Sequence, residues 1–139
     1  MTAQRTDTII INNNEHKLYS LPLNQYWDKF GQTLSLLGGS TGLWRGYYAT
    51  WLIENNQLLL TEFWGENFLM QKEYCLADIF PDQEKVFANW FTGELTIPMG
   101  KKVNYFHGGL GGWTYEYEAT INIERGILFE SNFRDTEIN

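Results

Sequence analysis

Apolar and polar positions alternate most cleanly over residues 113–123. Trp113, Tyr115, Tyr117, Ala119, Ile121 and Ile123 face one way; Thr114, Glu116, Glu118, Thr120 and Asn122 face the other. A period of two over that length predicts a half-buried antiparallel strand with a wet, acidic face. Residues 43–54 (LWRGYYATWLIE) predict a different kind of strand. One face carries Leu43, Arg45, Tyr47, Ala49, Trp51 and Ile53, the other Trp44, Gly46, Tyr48, Thr50, Leu52 and Glu54. Both are largely apolar, so this strand is expected at the centre of the sheet, covered on both sides. It follows a loop signal at Gly38, Gly39 and Gly42, turns at Asn55-Asn56, a pair suited to positive φ, and returns as residues 57–64.

The remaining pattern is shorter-ranged. Residues 8–12 and 16–21 predict a hairpin joined through Asn13-Asn14-Glu15, with Pro22 ending its second strand. Residues 23–36 have mixed periodicity with room for a helical turn. LADIF, before Pro81, fits a short helix, and residues 82–91 leave helix and strand undecided. Residues 93–99 predict a strand stopped by Gly100, with 101–106 as its partner and 107–112 (HGGLGG) as a loop. Arg125-Gly126 predicts a turn, 127–130 a last strand, and the tail from Ser131 a frayed end. About eight short strands without strand–helix alternation imply a mainly β fold. The expectation is a single-domain antiparallel barrel or strongly curved sheet spanning residues 1–139, with one or two short helices.

Composition sharpens this picture. Aromatic residues make up 17% of the 139-residue chain, which favours pleated, half-buried surfaces. Cys75 is the single cysteine and cannot form an internal disulfide, so a reducing, cytoplasmic setting is expected. The start, MTAQRTDTIIINNNE, lacks the apolar core of a signal peptide, and no apolar run approaches the roughly 20 residues of a membrane helix. No membrane partner is expected.

The net charge of −7 argues against nucleic acid, whose phosphates reward clustered Lys and Arg. The excess is concentrated after residue 113, in Glu116, Glu118, Glu124, Glu130, Asp135 and Glu137 against Arg125 and Arg134. Such a face is either a solvated surface or a docking surface for a basic protein.

Signals for catalysis are weak. Residues 38–42 (GGSTG) match the G-x-S-x-G string of a hydrolase nucleophile elbow, but that mechanism needs a helix after the serine, and the segment after Ser40 is strand-like. His16 and His107 are the only histidines and lack metal-ligand spacing, so neither a metal nor another cofactor is expected. Gly100-Lys101 has the wrong spacing from Gly93 for a phosphate loop. His107, beside a glycine-rich loop, could move a proton near neutral pH, paired with an acid such as Glu94 or Glu116.

Arg45 stands out as the sole charge on its face of the 43–54 strand. A buried guanidinium needs a partner, because unpaired burial costs several kcal/mol. Three readings are open: an internal pair with an acid such as Glu94 or Glu62, an interior arginine that receives a ligand carboxylate inside a barrel, or an edge position where Arg45 and Trp44 anchor a protein. Among the aromatics, Trp44 and Trp113, next to glycine loops, are the surface candidates, with Tyr115 beside them.

The strings STGLWRGYYATW and WFTGELTIPMG resemble a family of small bacterial proteins with an ST-x-LWRGY-x-ATW … WFTGEL-x-IP-x-G pattern. The resemblance covers most of the chain and implies no activity, cofactor or catalytic residue.

The first functional expectation is therefore a non-catalytic module that binds a basic protein, of the kind immunity and antitoxin proteins represent. The second is a carrier holding a small apolar or carboxylate ligand at Arg45 in a barrel, and the third an enzyme using His107. The candidate binding residues are Trp44, Arg45, His107, Trp113, Tyr115, Glu116 and Glu118. A long apolar-faced strand also admits a homodimer seam.

Overall fold

A computed structural model describes residues 3–106 and 109–133. Nine strands form one mixed sheet that curls into a nearly closed barrel: β1 (Asp7–Ile11), β2 (Asn14–Leu18), β3 (Tyr47–Glu54), β4 (Gln57–Asn67), β5 (Lys72–Cys75), β6 (Val86–Phe87), β7 (Gly93–Tyr105), β8 (Trp113–Glu124) and β9 (Ile127–Ser131). The strand order is β2-β1-β3-β4-β9-β8-β7, with β5 and β6 pairing to β4. The two ends of this order meet just past β2. The Tyr19 N–H donates to the Thr96 carbonyl at 2.7 Å, and the Thr96 N–H donates to Ser20 Oγ at 3.0 Å.

The sheet is antiparallel except at one seam, where β1 and β3 run parallel with Ile9 opposite Trp51. A parallel pair needs a long crossover, usually carrying a helix. Here the crossover contains β2 and the helix α1 (Pro22–Phe30). Pro22 occupies the helix start, where its missing N–H costs nothing, rather than merely ending a strand. Leu23 and Trp27, one turn apart, bury the helix against the core. There the Trp27 ring meets Tyr47 edge-on at 4.9 Å.

Three local expectations are corrected. The β1–β2 hairpin turns at Asn12-Asn13, not through Asn13-Asn14-Glu15: Ile11 pairs with Asn14, and both turn asparagines take positive φ. Residues 43–46 are a turn, not strand, and β3 begins at Tyr47. Gly100 does not stop a strand either: β7 runs on through it as one strand paired with β8, so residues 101–105 are not the partner of 93–99. The register shifts between Met99 and Lys102, and Gly100 takes a φ of +80°. The Lys101 N–H, lost from the ladder by this bulge, donates instead to Glu116 Oε1 at 2.9 Å. A bulge needs one glycine-friendly residue and one substitute acceptor, and the chain supplies both.

The inward faces fill the barrel with side chains. Ile9, Tyr47, Trp51, Leu60, Leu95, Ile97, Ile121 and Ile123 are among those with almost no exposure. The Leu76–Asp78 segment forms a single 3₁₀ turn, as short as LADIF implied. Among the described residues no helix is long and apolar enough to cross a membrane.

Candidate functional site

Arg45 is paired internally. Its guanidinium donates to Asp7 Oδ1 at 3.0 Å and to the Arg5 carbonyl at 2.6 Å, and its face lies over the Tyr47 ring, 4.8 Å from the centroid. The acid is Asp7, not Glu94 or Glu62, both of which are exposed. Asp7 has no solvent exposure. Its two oxygens also accept the Ala49 N–H and the Trp51 indole N–H, each at 3.0 Å. Burial pushes this carboxyl above its ordinary value. The Trp51 hydrogen bond, the Arg45 charge and the Ala49 N–H pull the other way. Burial and the nearby Asp7 charge push the Tyr47 hydroxyl upward as well. This arrangement clamps the start of β1 to the start of β3. It does not leave an interior cation for a ligand carboxylate: an incoming carboxylate would have to displace Asp7.

The other candidates separate onto two faces of β8. Glu116 and Glu118 point away from the barrel with Thr120, Asn122 and Glu124, because Ala119, Ile121 and Ile123 take the inward positions. Glu116 is occupied by the bulge. Glu118 lies opposite Pro98, and Asn122 lies between Glu94 of β7 and Glu130 of β9. Four carboxylates thus share the outer surface of three neighbouring strands: Glu94, Glu118, Glu124 and Glu130. Among the described residues none of them is in an ion pair; the two pairs present are Arg45–Asp7 and Lys85–Glu54.

Phe129 lies beside three of these carboxylates, Glu94, Glu124 and Glu130. The β8–β9 register places Asn122 opposite Glu130 and Ile123 opposite Leu128, so Phe129 is the extra residue of a bulge. A bulge re-aims a side chain. Leu128 packs toward the core while Phe129 is 62% exposed. It lines a shallow groove of about 420 Å³ together with Glu94, Asn122 and Glu124. Ile127, opposite Glu124, adds a second exposed apolar side chain. The sequence pattern placed Glu118 on this face but not Phe129, because a bulge breaks the alternation from which a facing is read.

Trp113 and Tyr115 occupy the opposite face of β8, where the β7–β8 hairpin runs beyond the buried core. The Trp113 ring contacts Tyr105, 5.2 Å between centroids, and lies under the Lys102 ammonium at 4.9 Å. Tyr19 meets Tyr115 edge-on, and its hydroxyl donates to the Trp113 carbonyl at 2.8 Å. Trp44 is exposed in the turn before β3, with its N–H donated to Gln4 Oε1 at 2.9 Å. The structure therefore does not gather the candidates into one site. His107 lies outside the described residues.

Comparison with protein-family models, with curated proteins and with solved structures finds no match to this chain.

Proposed function

We propose that this chain is a non-catalytic binding module that docks a basic protein on the outer face of β7, β8 and β9. The observation that supports it is Phe129, exposed by a bulge beside Glu94, Glu124 and Glu130, none of which is in an ion pair among the described residues. An aromatic anchor set among charges is how a specific, steered interface is built. The charge selects the partner. An anionic membrane or nucleic acid is repelled, and a second copy of this chain would bring the same negative face against itself. A basic toxin neutralised by this protein is the variety of partner that fits best. The exposed, free Cys75 is in keeping with a reducing, cytoplasmic compartment.

The test takes a partner captured from native lysate, identified, purified and titrated against purified variants at low and high salt. Phe129→Ala is expected to weaken binding by about tenfold or more. The Glu118→Lys/Glu130→Lys double variant is expected to slow association and remove most of the salt dependence. Binding that ignores both changes, or a lysate that yields no partner at low salt, overturns the proposal.

A further inference from the structure

A second cleft lies on the outer surface of β1, β2, β3 and β4 and has a volume of about 670 Å³. Its floor is a row of side chains that the register brings side by side. Lys17 of β2 lies opposite Thr8 of β1, and Tyr48 of β3 lies opposite Trp64 of β4. Its wall is the loop carrying Ser40 and Gly42. Arg5, just before β1, reaches over this floor.

Arg5 is held in a particular way. Its N–H donates to the Gly42 carbonyl at 2.8 Å, and its carbonyl accepts the Arg45 guanidinium, so the backbone is fixed on both sides. Its own guanidinium lies on the Tyr48 ring, 3.7 Å from the centroid. Tyr48 in turn stacks on Trp64 at 5.3 Å, and the Trp64 indole N–H is tied to Glu73 Oε1 at 3.0 Å. A guanidinium held over a ring can still present N–H groups to a carboxylate or phosphate, whose geometry its fork matches. Among the described residues neither Arg5 nor Lys17 is in an ion pair, in a protein carrying a net charge of −7. Glu66, the one carboxylate among the described residues that line the cleft, already accepts the Gly39 N–H through Oε2 at 3.0 Å. Ser40 Oγ accepts the Gly42 N–H at 3.2 Å and retains a proton to donate.

We infer that this cleft binds a small oxyanion-bearing molecule, with the carboxylate or phosphate group taken by the Arg5 fork and Lys17. Its volume is that of a small-molecule site. The buried Arg45–Asp7 pair then acquires a second role, since Arg45 presents the Arg5 backbone to the cleft. Arg45 is a positioning residue here and does not itself meet the anion.

The test is a titration of amide chemical shifts with three probes: inorganic phosphate, benzoate and, as a neutral control, benzamide. Saturable shifts at Arg5, Lys17, Ser40 and Tyr48 are expected with an anion and not with benzamide. Saturation by phosphate alone assigns a phosphate ester, by benzoate alone a carboxylate, and by both a site that accepts either anion. Arg5→Gln and Lys17→Gln, whose side chains are at the surface, are each expected to weaken binding by about tenfold with little change in melting temperature. Arg5→Lys is expected to recover only part of the affinity, because an ammonium keeps the charge and loses the fork. Non-saturating shifts with both anions, or affinities that survive both glutamine variants, overturn the inference.

Discussion

The Arg45 guanidinium and the Asp7 carboxylate meet at 3.0 Å, with the acid fully buried and the base only partly so. The pair joins two strands that run parallel, β1 and β3, at the end where the crossover delivers the chain to β3. Desolvating the acid is offset by several donors arriving together: Arg45, the Ala49 N–H and the Trp51 indole. Removing Asp7 takes the acceptor from all three donors at once, and removing one donor leaves the buried carboxylate short of a hydrogen bond.

Asp7→Ala is therefore expected to lower unfolding free energy by about 3–5 kcal/mol, the cost of stranding one partner of a buried pair. Replacing the pair together by apolar residues, Asp7→Leu with Arg45→Met, is expected to cost clearly less than the sum of the two single changes. Urea unfolding of the four proteins measures the coupling. Additive effects would show that the pair does not act as a unit.

Asp7 also gives the stability a sign with pH. Its folded-state carboxyl is held above the ordinary value of 3.8, chiefly by burial. The folded state then binds the proton more tightly than the unfolded chain, so the Asp7 contribution is most favourable below the unfolded value. It declines as pH rises through the folded one. The stability of the native protein minus that of Asp7→Asn is expected to fall as pH is raised from about 4. A difference that grows instead would mean that the hydrogen bonds and Arg45 outweigh burial.

Two tryptophans offer a paired control. Trp51 donates its indole N–H to Asp7, whereas the buried Trp27 N–H has no hydrogen-bond partner among the described residues. Changing each to Phe removes a similar volume from the core. Trp51→Phe is expected to cost about 1–3 kcal/mol more than Trp27→Phe, because only the former leaves a buried acceptor short of a donor. Thermal unfolding of the two variants side by side decides it, and equal losses would discount the Trp51–Asp7 bond.

Phe129 and Phe63 separate binding from folding. Phe63 is buried and stacked on Tyr47, so Phe63→Ala is expected to cost about 3–5 kcal/mol. Phe129 is exposed, and Phe129→Ala is expected to change stability by no more than about 0.5 kcal/mol. A large loss of stability at Phe129 would make it a packing residue and remove it as a binding anchor.

Local chemistry was legible wherever it acts alone. The Asn55-Asn56 turn, with φ of 53° and 59°, and the Arg125-Gly126 turn follow from residues that tolerate positive φ. The inward set Ala119, Ile121 and Ile123 follows from a period of two that nothing interrupts. The candidate sites were less legible. Glu116 and Glu118 were visible as part of an acidic face, whereas Arg5 and Asp7 carried no signal because each takes its meaning from residues some forty positions away.

By itself, then, the sequence determined a mainly β fold, the turns at Asn55-Asn56 and Arg125-Gly126, and which residues of its regular strands look inward, since these depend on propensity and alternation between near neighbours. The tertiary structure decided the rest. It made β1 and β3 parallel through a helical crossover, carried β7 through Gly100 as one strand, matched Arg45 with Asp7, and turned Phe129 outward. Each of these rests on pairing between distant segments or on a bulge that breaks the period, and the energy of such pairings is fixed only when the segments meet.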